Sequence, residues 1–400
     1  MTNESTSGPS LLVFSDDWGR HPSSCQHLVR RLLPHTPTVW VNTIGTRTPK
    51  LNWMTVRRVA EKLRDWRHVE PTDSETLPEN LTVLNPRMWP WFTRSWDRRL
   101  NRSLLSRQLK PIVESLPQPV IALTTLPITA DLPGRLPVAK WVYYCVDDFS
   151  VWPGLDGDTL ANMDHDMLRE ADDVVVVSET LQRHAKLEGR LPRMLTHGVD
   201  LDHWRASFDN APAKTDCEEP IVLFWGVIDR RMDVRFLETL SDRLDRGTIV
   251  LIGPQQDPDP KLSQLPRVEM RPPVPFAELP SWAARASVLI MPYVDEPVTR
   301  AMQPLKLKEY LATRRAVVSR HLPAVTEWDD CLDAVTTPEA FADRVIERIH
   351  TGVPVGQQTA RRRLGEERWN AKARQLESVW NPHTENCASK IETLNYVEPI

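Results

Sequence analysis

Short apolar runs without polar alternation recur along this chain, and they restrict its fold more than any other feature. In the first half they fall at residues 11–14, 39–41, 81–84, 119–123, 141–145 and 173–178. A strand that is apolar on both sides must be covered on both, as in parallel sheets flanked by helices. Helical patterns separate several of the runs, at residues 25–33, 95–115 and 158–170. The pattern predicts one Rossmann-like domain. Residues 209–219 are then polar, with Pro212, Lys214 and Asp216, and read as a linker. After it a second series begins, with strands at 221–225, 248–252, 288–291 and 316–319 and helices at 234–244, 276–286 and 338–349. The fold class is α/β, in two successive series of similar size without a solenoid repeat. Residues 357–380 read as a further helix, first basic and then mixed, and 381–400 as a weakly patterned tail draped on the surface.

Four hundred residues are enough for two domains. A formal net charge of −4 argues against a general nucleic-acid binder. Cys25, Cys145, Cys217, Cys331 and Cys387 are scattered, without the spacing of a zinc site, which fits a reducing cytosol. The first ten residues are polar, unlike a secretory signal, and no apolar run approaches the roughly 18–20 residues of a spanning helix. The expectation is a cytoplasmic protein, at most peripheral on the inner face of the plasma membrane.

Chemistry concentrates at residues 295–312. An apolar run, 288–293, leads into Asp295, Glu296, Arg300, Lys306 and Glu309, and a strand follows at 316–319. In an open parallel sheet, ligands bind outside the carboxyl ends of the strands. A helix N-terminus there attracts phosphate, a lysine adds a mobile cation, and a carboxylate one turn on accepts hydrogen bonds from sugar hydroxyls. The alternative is a solvated helix face carrying an i,i+3 pair. A second candidate is Trp225-Gly226 followed by Asp229, Arg230 and Arg231. Gly226 permits close backbone approach to a phosphate and the arginines neutralise it, or the segment is an ordinary turn.

Thr299-Arg300, Pro304, Lys306, Glu309-Tyr310 and Val317-Val318-Ser319 match the donor-site signature of family 4 (group 1) glycosyltransferases. The chain resembles that family over about residues 10–380, most strongly from Gly226 onward. The resemblance implies a glycosyltransferase B fold: two Rossmann-like domains facing across a cleft, with a C-terminal helix crossing back. Residues 1–208 would form the acceptor domain, 209–370 the nucleotide-sugar domain, and 371–400 the returning helix and tail, with Trp369 at the return. It implies transfer of a sugar from a nucleoside-diphosphate sugar to a hydroxyl of a glycan or lipid-linked acceptor, with retention and without a metal or other cofactor. Glu309 would bind the ribose. Gly226, Arg230 or Arg231, Gly253, Arg300 and Lys306 would surround the diphosphate and base. Thr196-His197-Gly198-Val199-Asp200 is similar to the family's interdomain crossover.

Two departures from the family pattern stand out. Val227 and Met232 occupy positions where many members carry Arg and Lys, and Ala301 replaces the first glutamate of a Glu-x7-Glu pair. Asp295 or Glu296 could take over that carboxylate's contact with the sugar. On the acceptor side, Trp18, Arg20 and His21 follow the first strand. Asp147 and Asp148 end another, where a carboxylate orients an acceptor hydroxyl, takes its proton, or caps a helix. Residues 89–110 join three tryptophans and a phenylalanine with a run of arginines, a composition suited to contact with an anionic membrane or to a solvated helix flanked by packing tryptophans. A nucleotide-sugar epimerase of the same fold and a non-catalytic relative are the alternatives.

Overall fold

The computed structural model describes residues 8–20, 23–43, 45–46, 77–206 and 219–381. The readings made for His21, Cys217, Cys387, the linker and the tail beyond 381 lie outside the described residues.

The chain divides into two compact units. The first comprises Met1–Leu195 with Ala373–Ile400, the second Thr196–Lys372. In the first, seven strands are β1 (Ser10–Ser15), β2 (Thr38–Asn42), β3 (Leu81–Leu84), β4 (Val120–Thr124), β5 (Lys140–Cys145), β6 (Asp173–Val176) and β7 (Arg193–Met194). All pair in parallel, in the order β3-β2-β1-β4-β5-β6-β7. Their apolar side chains are covered as the sequence requires. On one face, Leu105, Leu109 and Val113, at four-residue spacing along the helix Ser95–Ser115, bury against Leu12, Phe14, Val39 and Ala122.

The second unit repeats the plan. Strands β8 (Ile221–Trp225), β10 (Thr248–Ile252), β12 (Val268–Arg271), β13 (Val288–Met291), β14 (Ala316–Arg320) and β15 (Asp333–Val335) form a parallel sheet in the order β12-β10-β8-β13-β14-β15. A two-stranded ribbon, β9 (Ile228–Asp229) with β11 (Gln255–Gln256), lies beyond β8 and β10. Phe236, Leu237 and Leu240 of the helix Val234–Arg243 and Phe341, Ala342 and Val345 of the helix Pro338–Thr351 share one core with the strands.

The division falls at Leu195/Thr196, earlier than residue 208. The cause is a set of contacts that tie 196–206 to the second unit. Trp204 stacks on Trp225 with ring centroids 5.1 Å apart and planes 10° from parallel. Lys308 Nζ donates to the His197 carbonyl at 2.6 Å and to Thr196 Oγ1 at 3.0 Å, and it pairs with Glu367. Lys372 joins the same carboxylate at 2.7 Å. Trp369 lies against Gly198 in this unit, so close that a Cβ there would come within 2.7 Å of the indole. From Ala373 the chain belongs to the first unit, where Lys140 donates to the Val379 carbonyl at 3.2 Å.

The helix read at 357–380 is three pieces: Val355–Ala360, a 3-10 stretch Arg361–Glu367, and Trp369–Glu377. Arg361 interrupts it by turning inward to donate to the carbonyls of Cys331, Thr313 and Arg315. The helix read at 276–286 begins with a 3-10 turn, Phe276–Glu278, before Leu279–Arg285. Among the described residues no helix is long and apolar enough to cross a membrane.

The Lys308–Glu367–Lys372 cluster is buried, and removing its single carboxylate leaves two lysines facing each other without compensation. Glu367→Ala is expected to cost about 3 kcal/mol of unfolding free energy. A urea midpoint close to that of the wild type would contradict this.

Candidate active site of the second unit

In the second sheet the strand order reverses between β8 and β13, and that is where an open α/β sheet leaves a crevice for ligand at its carboxyl end. Gly226 follows β8 with φ at 134°, and Gly253 follows β10 with φ at 152°. Their backbones touch. A Cβ on Gly253 would lie 1.9 Å from the Gly226 carbonyl oxygen, and one on Gly226 would lie 2.3 Å from Lys306 Nζ. The clash at Gly253 is with backbone and excludes a side chain there, and at Gly226 the positive φ strains any residue but glycine.

Pro304, with its fixed φ, sets the start of the helix Leu305–Ala312, and Lys306 sits in its first turn. The helical pattern across 295–312 is thus two helices, Pro297–Ala301 and Leu305–Ala312. Lys306 Nζ donates to Tyr293 Oη and stands 4.3 Å from the centroid of the Phe224 ring and 5.1 Å from that of Tyr293. It forms no ion pair with any described residue. So an ammonium sits above a bare glycine backbone at the start of a helix, lined by aromatic faces that favour a cation.

Glu309 lies one turn further along. Its Oε2 accepts from the Trp225 indole N–H at 3.1 Å. Although the residue keeps some contact with solvent, its carboxyl group is packed deeply enough that burial pushes its pKa up to about 7, against the opposing effects of the Trp225 hydrogen bond and the charge of Lys306. Tyr310 Oη accepts the Trp225 main-chain N–H at 3.1 Å and fixes the strand end to the helix.

The arginines read beside this site are each held by a neighbouring carboxylate. Arg230 pairs with Asp257 at 3.3 Å, Arg231 with Asp229 at 2.8 Å, and Arg300 with Asp295 at 2.6 Å. That ion pair holds the Asp295 carboxyl below the usual carboxylate range. Glu296 caps the helix Pro297–Ala301 with Thr299. Only Lys306, of the cations read for the donor, stands against Gly226 without a carboxylate partner among the described residues.

In the first unit, Trp18 packs edge-on against Trp40 at 4.8 Å under the Arg30 guanidinium, and Arg20 pairs with Asp17 at 3.2 Å. Asp148 caps the turn Phe149–Val151 through Ser150. Asp147 precedes it, and its carbonyl lies 3.7 Å from Cys145 Sγ. Residues 89–110 prove largely self-engaged. Trp89 packs on Trp91 and Trp96 and donates to Asp97 at 2.7 Å, while Arg98 binds Asp131 and Asp166; Trp96 keeps 47% exposure. The sequence reading placed Trp225 in a candidate segment without giving it a role and missed Tyr293; both look like ordinary core aromatics at strand ends. It also missed Asp164, which accepts from Tyr143 Oη at 2.5 Å and binds His184 at 2.9 Å, two partners on two other elements.

Residues 219–351 match the family described as glycosyl transferases group 1. That segment is similar to the family, and the chain as a whole has the glycosyltransferase B fold. A Bacillus subtilis (strain 168) protein named as a teichuronic acid biosynthesis glycosyltransferase, TuaH, is 27% identical over 172 residues, 40% of this chain and 43% of that one. The chain thus spans less than half the length of this curated relative. Among solved structures, Anabaena Alr3699/HepE in complex with UDP-glucose superposes with a TM-score of 0.59 at 12% identity, covering 96% of this chain and all of that one. The α,α-trehalose 6-phosphate synthase of Burkholderia multivorans gives 0.60 at 13% identity, covering 98% and 99%.

Two consequences for stability follow from the site. Gly253→Ala should lose at least about 2 kcal/mol by denaturant unfolding, since the backbone must shift to admit the methyl group. Glu309→Gln should do the reverse above neutrality. A carboxyl raised from 4.5 to about 7 favours the fold while protonated and loses that contribution as pH rises through 7. After discounting for solvent contact, the neutral amide should be more stable by about 1 kcal/mol at pH 8 and equal to wild type near pH 5, read from urea midpoints.

Proposed function

We propose that the protein is a nucleotide-sugar-dependent glycosyltransferase whose donor site is the crevice around Gly226, Lys306 and Glu309. The observation that supports this best is Lys306, an ammonium without a carboxylate partner among the described residues, standing over a glycine backbone that carries no side chain of its own. Phosphate oxygens can approach that floor closely. The ammonium and the first-turn N–H groups of the helix Leu305–Ala312 would stabilise the negative charge that develops on the departing nucleoside diphosphate. Glu309 Oε1 is left to accept hydrogen bonds from the ribose hydroxyls. Arg230 and Arg300 can exchange their carboxylate partners for phosphate when it arrives, since both pairs are open to solvent, whereas the Arg231–Asp229 pair is more deeply set.

The finer reading is transfer with retention, without a metal, to a hydroxyl of a glycan or lipid-linked acceptor. Its support is the kinship of residues 219–351 and the name of the Bacillus relative, which concerns a cell-wall glycan. UDP is the first nucleotide to test, because the Anabaena structure holds UDP-glucose. Asp147 and Asp148, with Trp18 and Arg20, remain the acceptor-side candidates of the first unit, and Trp96 with its arginine neighbours the candidate for peripheral membrane contact.

UDP, GDP, ADP and TDP at millimolar concentration should separate in a thermal shift panel, with one raising the midpoint by mass action. Lys306→Ala and Glu309→Ala should keep wild-type circular dichroism and lose about 10²-fold in turnover of the matching sugar nucleotide. No shift with any nucleotide would leave a non-catalytic relative as the better description. Free epimerised sugar from the donor alone would indicate an epimerase.

A further inference from the structure

Trp225 is 4% exposed and fixed on every side. Its main-chain N–H donates to Tyr310 Oη at 3.1 Å, its ring stacks on Trp204 at 5.1 Å, and Tyr310 meets it edge-on at 4.2 Å. A phenylalanine would keep the main-chain hydrogen bond and an aromatic face for these two rings. What the indole adds is a single N–H, a donor with no acceptor capacity, and it is spent on Glu309 Oε2 at 3.1 Å. No other side-chain hydrogen bond to Glu309 is present among the described residues.

We propose that Trp225 is a positioning residue for the donor: its indole N–H fixes one oxygen of Glu309, so that the other is the acceptor presented to the ribose. The idea rests on the glycosyltransferase reading above. Without the N–H, the carboxylate of Glu309 would be free to rotate about its terminal torsion and to turn towards Lys306, the one cation on its own helix that acts on it. The groups facing Glu309 are Lys306 and Tyr310 on that helix and Trp225 from β8. Trp225 and Lys306 both favour the ionised form, and burial opposes it. Loss of the indole donor therefore raises the pH at which the carboxyl ionises, and it weakens donor binding most on the acid side of that pH.

Trp225→Phe tests this. In the ligand-free protein, the infrared carboxyl band that disappears in Glu309→Gln should titrate at a higher pH in Trp225→Phe than in wild type. KM for the sugar nucleotide near neutral pH should rise roughly tenfold with kcat little changed, the signature of lost uniform binding. Should the variant fail to fold, an isosteric benzothienyl side chain at position 225 keeps the ring area and removes only the N–H. An unshifted carboxyl titration together with unchanged KM overturns the proposal while leaving the donor site intact. If the wild-type protein binds no nucleoside diphosphate, the glycosyltransferase reading fails first and this proposal fails with it.

Discussion

The second unit is organised around a contact between two pieces of bare backbone. Gly226 and Gly253 end adjacent strands and press together where any Cβ would collide, at 1.9 Å from the neighbouring carbonyl in one case. The missing Cβ of Gly226 leaves the space in which Lys306 stands over the chain, with Glu309 one turn further along the helix Leu305–Ala312 and the Phe224 and Tyr293 rings around the ammonium. Two glycines are a small expenditure of sequence for so much geometry. Each gives up more backbone entropy on folding than another residue would, and burial of the surrounding parallel sheet offsets that loss.

Most arginines of this unit are matched to carboxylates, as Arg231, Arg300 and Arg230 are to aspartates two, five and twenty-seven positions away. Arg361 and Arg315, both buried, are satisfied by carbonyls instead. Lys306 fits neither pattern. It is held by a phenol and by ring faces, which hold a cation in place without neutralising it. A group left in that condition keeps its full attraction for an incoming anion, whereas a surface pair offers only the difference between two partners.

Much of the architecture could be read from residue patterns. Both sheets were visible because their central strands are apolar on both sides, and the helix Ser95–Ser115 was bounded correctly by its composition. The edge strands β7, β12 and β15 escaped because they are short, partly exposed and carry Arg193, Glu269 and Asp333. Lys306, Glu309 and Gly226 could be singled out because motif and helix start coincided. Their immediate supports could not: Trp225, Tyr293 and Trp204 reach the site only through tertiary packing, which leaves no local spacing to detect. The pairing of Arg230 with Asp257, across two strands, was equally invisible.

The way Lys308 and Glu367 grip residues 196 and 197 also determines where this polypeptide can be cut. The polar stretch at 209–218 is the obvious place to sever it, yet a fragment starting there would strip Trp204 from the face of Trp225 and leave a lysine and a glutamate without the segment they clasp. A fragment that opens at Thr196 carries its own fastening and is the natural half to express alone.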